Sequence, residues 1–129
     1  MRSWKTVAGV ALVLVAAAVP AAPAAPLKDG DVLVAGRCTG PSTSKLKLSE
    51  ENGRIEVEFE VDQNRVGRRW AVVLRRNGSV VSRQTRVTRG PSGSFEARLL
   101  ARNLAGTDRF VATATRAGES CSARANWRR

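Results

Sequence analysis

Glu56, Glu58 and Glu60 alternate along one stretch of this 129-residue chain, and two carboxylates are the minimum that glycoside hydrolysis needs. On an extended strand, residues at i and i+2 share a face about 7 Å apart, a spacing that a glycosidase can use. The same stretch offers these acids a plainer role. If Asn52-Gly53 closes a two-residue hairpin, counting outward sets Lys47 opposite Glu58 and Lys45 opposite Glu60, a solvated ladder of opposite charges. The chain has no histidine, which removes the usual general base and the commonest metal ligand. Cys38 and Cys121 are its only cysteines, and joined in a disulfide they leave no thiolate nucleophile. No serine sits in a recognisable nucleophile elbow. Asp62-x-Asn64 with Gly67 spells the opening of a calcium loop, but Val66 takes a ligand position and Val73 stands where the closing glutamate belongs. Asp29 and Asp31 make a weaker cation signal still. These residues point away from an enzyme and imply no metal or cofactor.

What remains is arginine. The chain carries 22 Lys and Arg against 11 Asp and Glu, a formal charge of +11. Such an excess bears on partners rather than on fold, and suits a polyanion such as teichoic acid, acidic polysaccharide, lipid headgroups or extracellular nucleic acid. Whether the arginines act together depends on the elements that carry them.

The first of these elements is an address. Arg2 and Lys5, the unbroken apolar run Val7–Val19 and the segment PAAPAAP have the layout of a secretory signal peptide. The run is shorter than the ~20 residues that span a bilayer as a helix. Cleavage is expected near Ala24, which leaves residues 25–129 as a single exported domain without a membrane span. Residues 25–44 form its N-terminal segment and residues 45–127 its core. In such a chain two cysteines read as one disulfide, Cys38–Cys121, and closing so long a loop is worth about 4–5 kcal/mol by chain entropy. LVAGRC shares some spelling with a lipoprotein acylation box. However, Arg37 occupies a position that needs a small residue, and Cys38 lies far beyond the apolar run.

The remaining elements are strands. Val32–Ala35 is a short first strand, and Gly40–Ser44 a loop. The Asn52-Gly53 hairpin places Leu48 against Val57 and Leu46 against Phe59 on the face opposite the charges. After a polar loop over residues 62–67, Trp70, Val72 and Leu74 alternate with Arg69, Ala71, Val73 and Arg75. A second Asn-Gly, Asn77-Gly78, turns the chain into Ser79–Val87; straight counting sets Leu74 opposite Val81, Trp70 opposite Thr85 and Arg69 opposite Arg86. The polar inward face of this return strand marks an edge. Phe95, Ala97 and Leu99 lie on one further strand, Phe110, Ala112 and Ala114 on the next. Cys121, Ala123, Ala125 and Trp127 share a parity on the last. Short strands at regular spacing, with no helical period outside the leader, predict an all-β antiparallel sandwich of seven or eight strands.

Trp70 on a core strand, the hairpin after it and the stretch GTDRFVATATRAGES resemble the immunoglobulin or fibronectin type III sandwich. Phe110, Ala112, Ala114 and Gly118 fall where those domains carry Tyr, Cys, a small residue and a turn glycine. The tyrosine corner is absent, and Ala112 replaces the inter-sheet cysteine. EVEFEVDQNRVGRRWAVVLRRNG with RGPSGSFEAR resembles small secreted actinobacterial proteins of no assigned activity, which implies export and a compact β domain but no reaction.

An immunoglobulin-like layout implies that the opening hairpin and the Phe95 strand form one sheet, and the Trp70, Ser79–Val87, Phe110 and Cys121 strands the other. Outward positions of the second sheet then include Arg69, Arg75, Arg86, Arg109 and Arg124. The expected protein is a secreted, monomeric, non-enzymatic module that holds an anionic cell-envelope polymer or an acidic protein on this face. Its alternative is a secreted inhibitor of an extracellular trypsin-like protease, with Arg65–Arg68 or Arg89–Ser94 as bait. Stacking on sugar or single strands needs exposed rings, and Trp127 near the end is the one ring expected at the surface.

Overall fold

The computed structural model describes residues 8–14 and 26–128. The leader reading falls mostly outside them, as does its cleavage position at Ala24. Residues 8–14 form neither helix nor strand, and among the described residues no helix is long and apolar enough to cross a membrane.

Two antiparallel sheets make up the fold. Strands β1 (Val32–Ala35), β3 (Thr43–Glu51), β4 (Arg54–Asp62) and β7 (Ser94–Arg102) form one, in the order β1-β3-β4-β7. Strands β2 (Arg37–Cys38), β5 (Arg69–Arg76), β6 (Ser79–Val87), β8 (Thr107–Arg116) and β9 (Glu119–Arg128) form the other, in the order β2-β9-β8-β5-β6. The division of strands between sheets is the expected one. The two-residue β2 is the addition: the chain leaves β1, crosses between sheets at Gly36 and pairs with β9. A Cβ at Gly36 would lie 2.2 Å from Ser44 Oγ and 2.7 Å from the Ser122 carbonyl, so only glycine lets the backbone pass there. The crossing sets Cys38 opposite Cys121, and the two are joined in the disulfide.

The first hairpin has the predicted register: Leu46 faces Phe59, Leu48 faces Val57, Lys45 faces Glu60 and Lys47 faces Glu58. Asn52 and Gly53 both take positive φ, 49° and 77°, as a type I′ turn requires.

In the second hairpin, Asn77 and Gly78 likewise have positive φ, and Arg76 faces Ser79 and Arg75 faces Val80. Beyond that point a β-bulge shifts the register by one residue. Leu74 faces Ser82, Val72 faces Gln84, Trp70 faces Arg86 and Arg69 faces Val87. The expected Arg69–Arg86 opposition is therefore corrected. The shift separates two like charges and turns Gln84 inward, where its Nε2 donates to the Arg98 carbonyl of β7 at 2.9 Å. The edge of one sheet is thus tied to the edge of the other.

Between the sheets lies a core of Leu46, Leu48, Ile55, Val57, Phe59 and Val61 against Trp70, Val72, Leu74, Phe110 and the alanines of β8 and β9. Phe59 and Trp70 are both fully buried. Small side chains on β8 and β9 make room for the large ones opposite, and Trp70 packs against Phe95 with ring centroids 6.0 Å apart. Trp127 is buried as well, at 7% exposure, because its parity on β9 continues that of Cys121, Ala123 and Ala125. The expectation of an exposed ring at the chain's end is overturned.

Candidate anion-binding face

Alternation along the strands gives each sheet one inner and one outer face. On the five-stranded sheet, the inward parity of Trp70, Phe110 and Cys121 turns Arg69 and Arg75 of β5, Arg109 of β8 and Arg124 of β9 outward. These four sit where the sequence placed them. Arg86 does not join them: the bulge gives it the parity of Gln84, and its Nη2 donates to Gln84 Oε1 at 2.7 Å. Arg83 takes the outward place instead, opposite Val73. Sequence reasoning also missed Arg37, opposite Ser122, and Arg128, next to inward Trp127. The parity of Trp127 carried the signal for Arg128. Arg37 became assignable only once β2 was seen to pair with β9.

These arginines ring a neutral centre. One row runs Arg83–Val73–Thr113–Ser122–Arg37 across all five strands, about 19 Å at ~4.8 Å per strand. The next sets Arg75 and Arg124 on either side of Val111, about 10 Å apart. No outward position of the described strands in this sheet holds an acid. Its acids at Asp108 and Glu119 share the inward parity, and each meets an inward arginine. Asp108 is 4% exposed, accepts from Arg76 Nη2 at 2.6 Å and from Asn77 Nδ2 at 2.8 Å, and Arg76 caps the Phe110 ring. The hydrogen bond from Arg76 holds the Asp108 carboxyl below the ordinary carboxylate range. Glu119 lies 3.8 Å from Arg116 Nη1.

The four-stranded sheet is the opposite case. Lys45 meets Glu60 at 3.6 Å, and Arg98 lies 2.7 Å from Glu56, 3.6 Å from Glu58 and 3.5 Å from Glu96. Lys47, although opposite Glu58, pairs with Asp31 at 3.9 Å, so one rung of the expected ladder is exchanged. An exception to the pairing is Arg54 opposite Arg102 at the sheet's end, beside Glu51. A cleft of about 370 Å³ opens on this side, with Leu27 and Leu33 beside Lys45, Lys47, Glu58, Glu60 and Glu96. Burial, followed by the hydrogen bond with Glu56 and the charge of Glu96, raises Glu58 to about 7. Glu56 is lowered by that same hydrogen bond and by Arg98. Glu58 thus keeps its proton in preference to Glu56, whose carboxylate Arg98 approaches at 2.7 Å.

The calcium-like spelling resolves into a turn, in which Asp62 Oδ1 accepts the Asn64 amide at 2.9 Å. Asp31 accepts the Lys28 amide, the main cause of its lowered pKa. Of the two loops considered as protease bait, Arg65–Arg68 is bound to Thr88 and Arg89–Ser94 is closed on itself. Thr88 Oγ1 donates to the Arg65 carbonyl at 2.5 Å, and the Thr88 amide donates to the Arg68 carbonyl at 2.8 Å. The Arg89 carbonyl accepts from Gly93. A protease attacks the carbonyl that follows the side chain it recognises, and all three arginine carbonyls are occupied within the fold.

No protein-family model matches the chain, and no curated protein or solved structure matches it either.

Proposed function

We propose that this chain is an exported, non-enzymatic interaction module of the cell envelope that holds an anionic partner, a wall polymer or an acidic protein, on the outer face of its five-stranded sheet. The observation that carries the reading is that outward-facing arginines share this face with no acid, while the acids of the same sheet point inward. Arginine forks suit phosphate and carboxylate, and several on one plane favour a repeating anion over a single small one. All five rings of the described residues, Phe59, Trp70, Phe95, Phe110 and Trp127, are buried, so the reading rests on charge rather than stacking. The division of strands supports an immunoglobulin-like layout, and the polar inner side of β6 tied to β7 supports a monomer. Export rests on the basic, apolar and small-residue order of the leader, whose Val10, Leu12, Val13 and Leu14 are exposed rather than packed on the domain.

The test is retention on immobilised teichoic acid or acidic polysaccharide. Wild type is expected to bind at low salt and elute as salt rises, and Arg75→Glu with Arg124→Glu to pass through unretained with its melting temperature little changed. Retention that ignores salt, or no retention by wild type, removes the proposal. Trypsin serves as the control for inhibition: with their carbonyls occupied, Arg65, Arg68 and Arg89 are expected neither to block the protease nor to be cut rapidly in the folded protein.

A further inference from the structure

Three shallow depressions open along the five-stranded sheet, and no carboxylate lines any of them. The one beside β5 and β8, about 410 Å³ in volume, brings Arg68 and Arg69 together with two hydroxyl-bearing residues, Thr85 and Thr115. Thr85, Ala71 and Thr115 form one cross-strand row, so the two hydroxyl-bearing residues stand about 10 Å apart with a methyl group between them. Arg116 turns to the inner side of the sheet, its guanidinium 5.9 Å from the buried Trp70 ring centroid and 3.8 Å from Glu119, so the donors of the depression are those of β5, β6, β8 and the loop before β5 that face outward.

We infer that this depression is a subsite for one tetrahedral oxyanion, a phosphate group of the bound partner. The inference rests on the anion-binding reading of the face and adds its chemical class. Two guanidinium forks and two hydroxyls present more donors than the two oxygens of a planar carboxylate can accept, whereas a phosphate turns acceptors in several directions. The methyl floor at Ala71 leaves room above the sheet for the group to sit between the threonines. Nothing in the depression repels an anion, in contrast to the cleft on the other sheet, where Glu58, Glu60 and Glu96 share the walls with the lysines.

Inorganic phosphate is the probe, titrated at fixed ionic strength while backbone amide NMR shifts are followed. Saturable shifts are expected at Ala71, Thr85 and Thr115, with acetate at equal ionic strength producing none that saturate. Arg69→Gln is expected to weaken binding about tenfold and Thr115→Val several-fold, both without a change in melting temperature. Shifts that stay linear, that spread equally to Arg37, Arg109 and Arg124, or that survive Arg69→Gln unchanged overturn the subsite. Polymer retention measured in parallel separates the two readings. Retention by wild type without saturable phosphate binding leaves the face and removes the subsite; saturable phosphate binding without retention removes the face and leaves the subsite. Inorganic sulfate competing as well as phosphate would retain the tetrahedral geometry but remove phosphate as the group selected.

Discussion

The two outer faces of this sandwich are built from the same kinds of strands and treat charge in opposite ways. On the four-stranded sheet Arg98 alone approaches three glutamates, and Lys45 and Lys47 each have an acid within 4 Å. On the five-stranded sheet the acids are spent inward, Asp108 on Arg76 and Glu119 on Arg116, and the outward arginines are left to solvent or to a partner. Exposed pairs such as Lys45–Glu60 contribute little to stability, whereas the buried Asp108–Arg76 pair does not tolerate the loss of one partner. The difference between the two faces shows where the molecule has kept charge uncompensated, and that is the face on which a polyanion gains most by releasing its counterions.

Reversing charge on each face in turn should give the largest contrast. Arg75→Glu with Arg124→Glu is expected to reduce affinity for an anionic polymer by about 100-fold or more at low salt, while Lys45→Glu with Lys47→Glu leaves it within a few-fold. Equal losses from both variants would mean that net charge, not the face, governs binding. Next in size is the inward pair: Asp108→Ala leaves Arg76 without its partner and is expected to cost about 2–3 kcal/mol in urea denaturation, against ~0.5 kcal/mol or less for Arg109→Ala. Because the folded pKa of Asp108 is depressed, its contribution is present at neutral pH and disappears as pH falls through that value.

Glu58 behaves in the reverse sense. Its folded pKa of about 7 lies above the ordinary value of 4.5, so its contribution to stability declines as pH rises from about 4.5 to 7 and stays low beyond. Glu58→Gln is accordingly expected to raise stability by about 1 kcal/mol at pH 8 and to change little at pH 4, as read from paired denaturation curves. The smallest effect tests the bulge: Arg83→Gln should lower the salt slope of polymer binding by about one unit, and Arg86→Gln should leave it unaltered. An equal change from Arg86→Gln would place that side chain among the outward arginines after all.

Local rules carried much of this fold. Both Asn-Gly turns, the register of Leu46 with Phe59 and of Lys45 with Glu60, and the disulfide follow from turn chemistry, alternation and a cysteine count. Straight counting failed where a strand contained an irregularity with no residue to announce it. Nothing in Ser79–Val87 marks a bulge, since it holds neither glycine nor proline, and the gain from Gln84 reaching β7 is a contact between sheets. The candidate face was legible in the same measure: Arg69, Arg75, Arg109 and Arg124 follow from parity, whereas Arg86 and Arg83 exchange places across the bulge. Arg116, which parity turns inward, packs on Trp70, a contact between residues far apart in the chain.

By itself the sequence determined the strands, their two faces and the excess of positive charge, because alternation and turn geometry are properties of neighbouring residues. The tertiary structure decided which arginines stand together without an acid and which glutamate beside Arg98 is pushed up in pKa. Those depend on register shifts and on side chains meeting across strands, where the energy of a contact belongs to two distant segments at once.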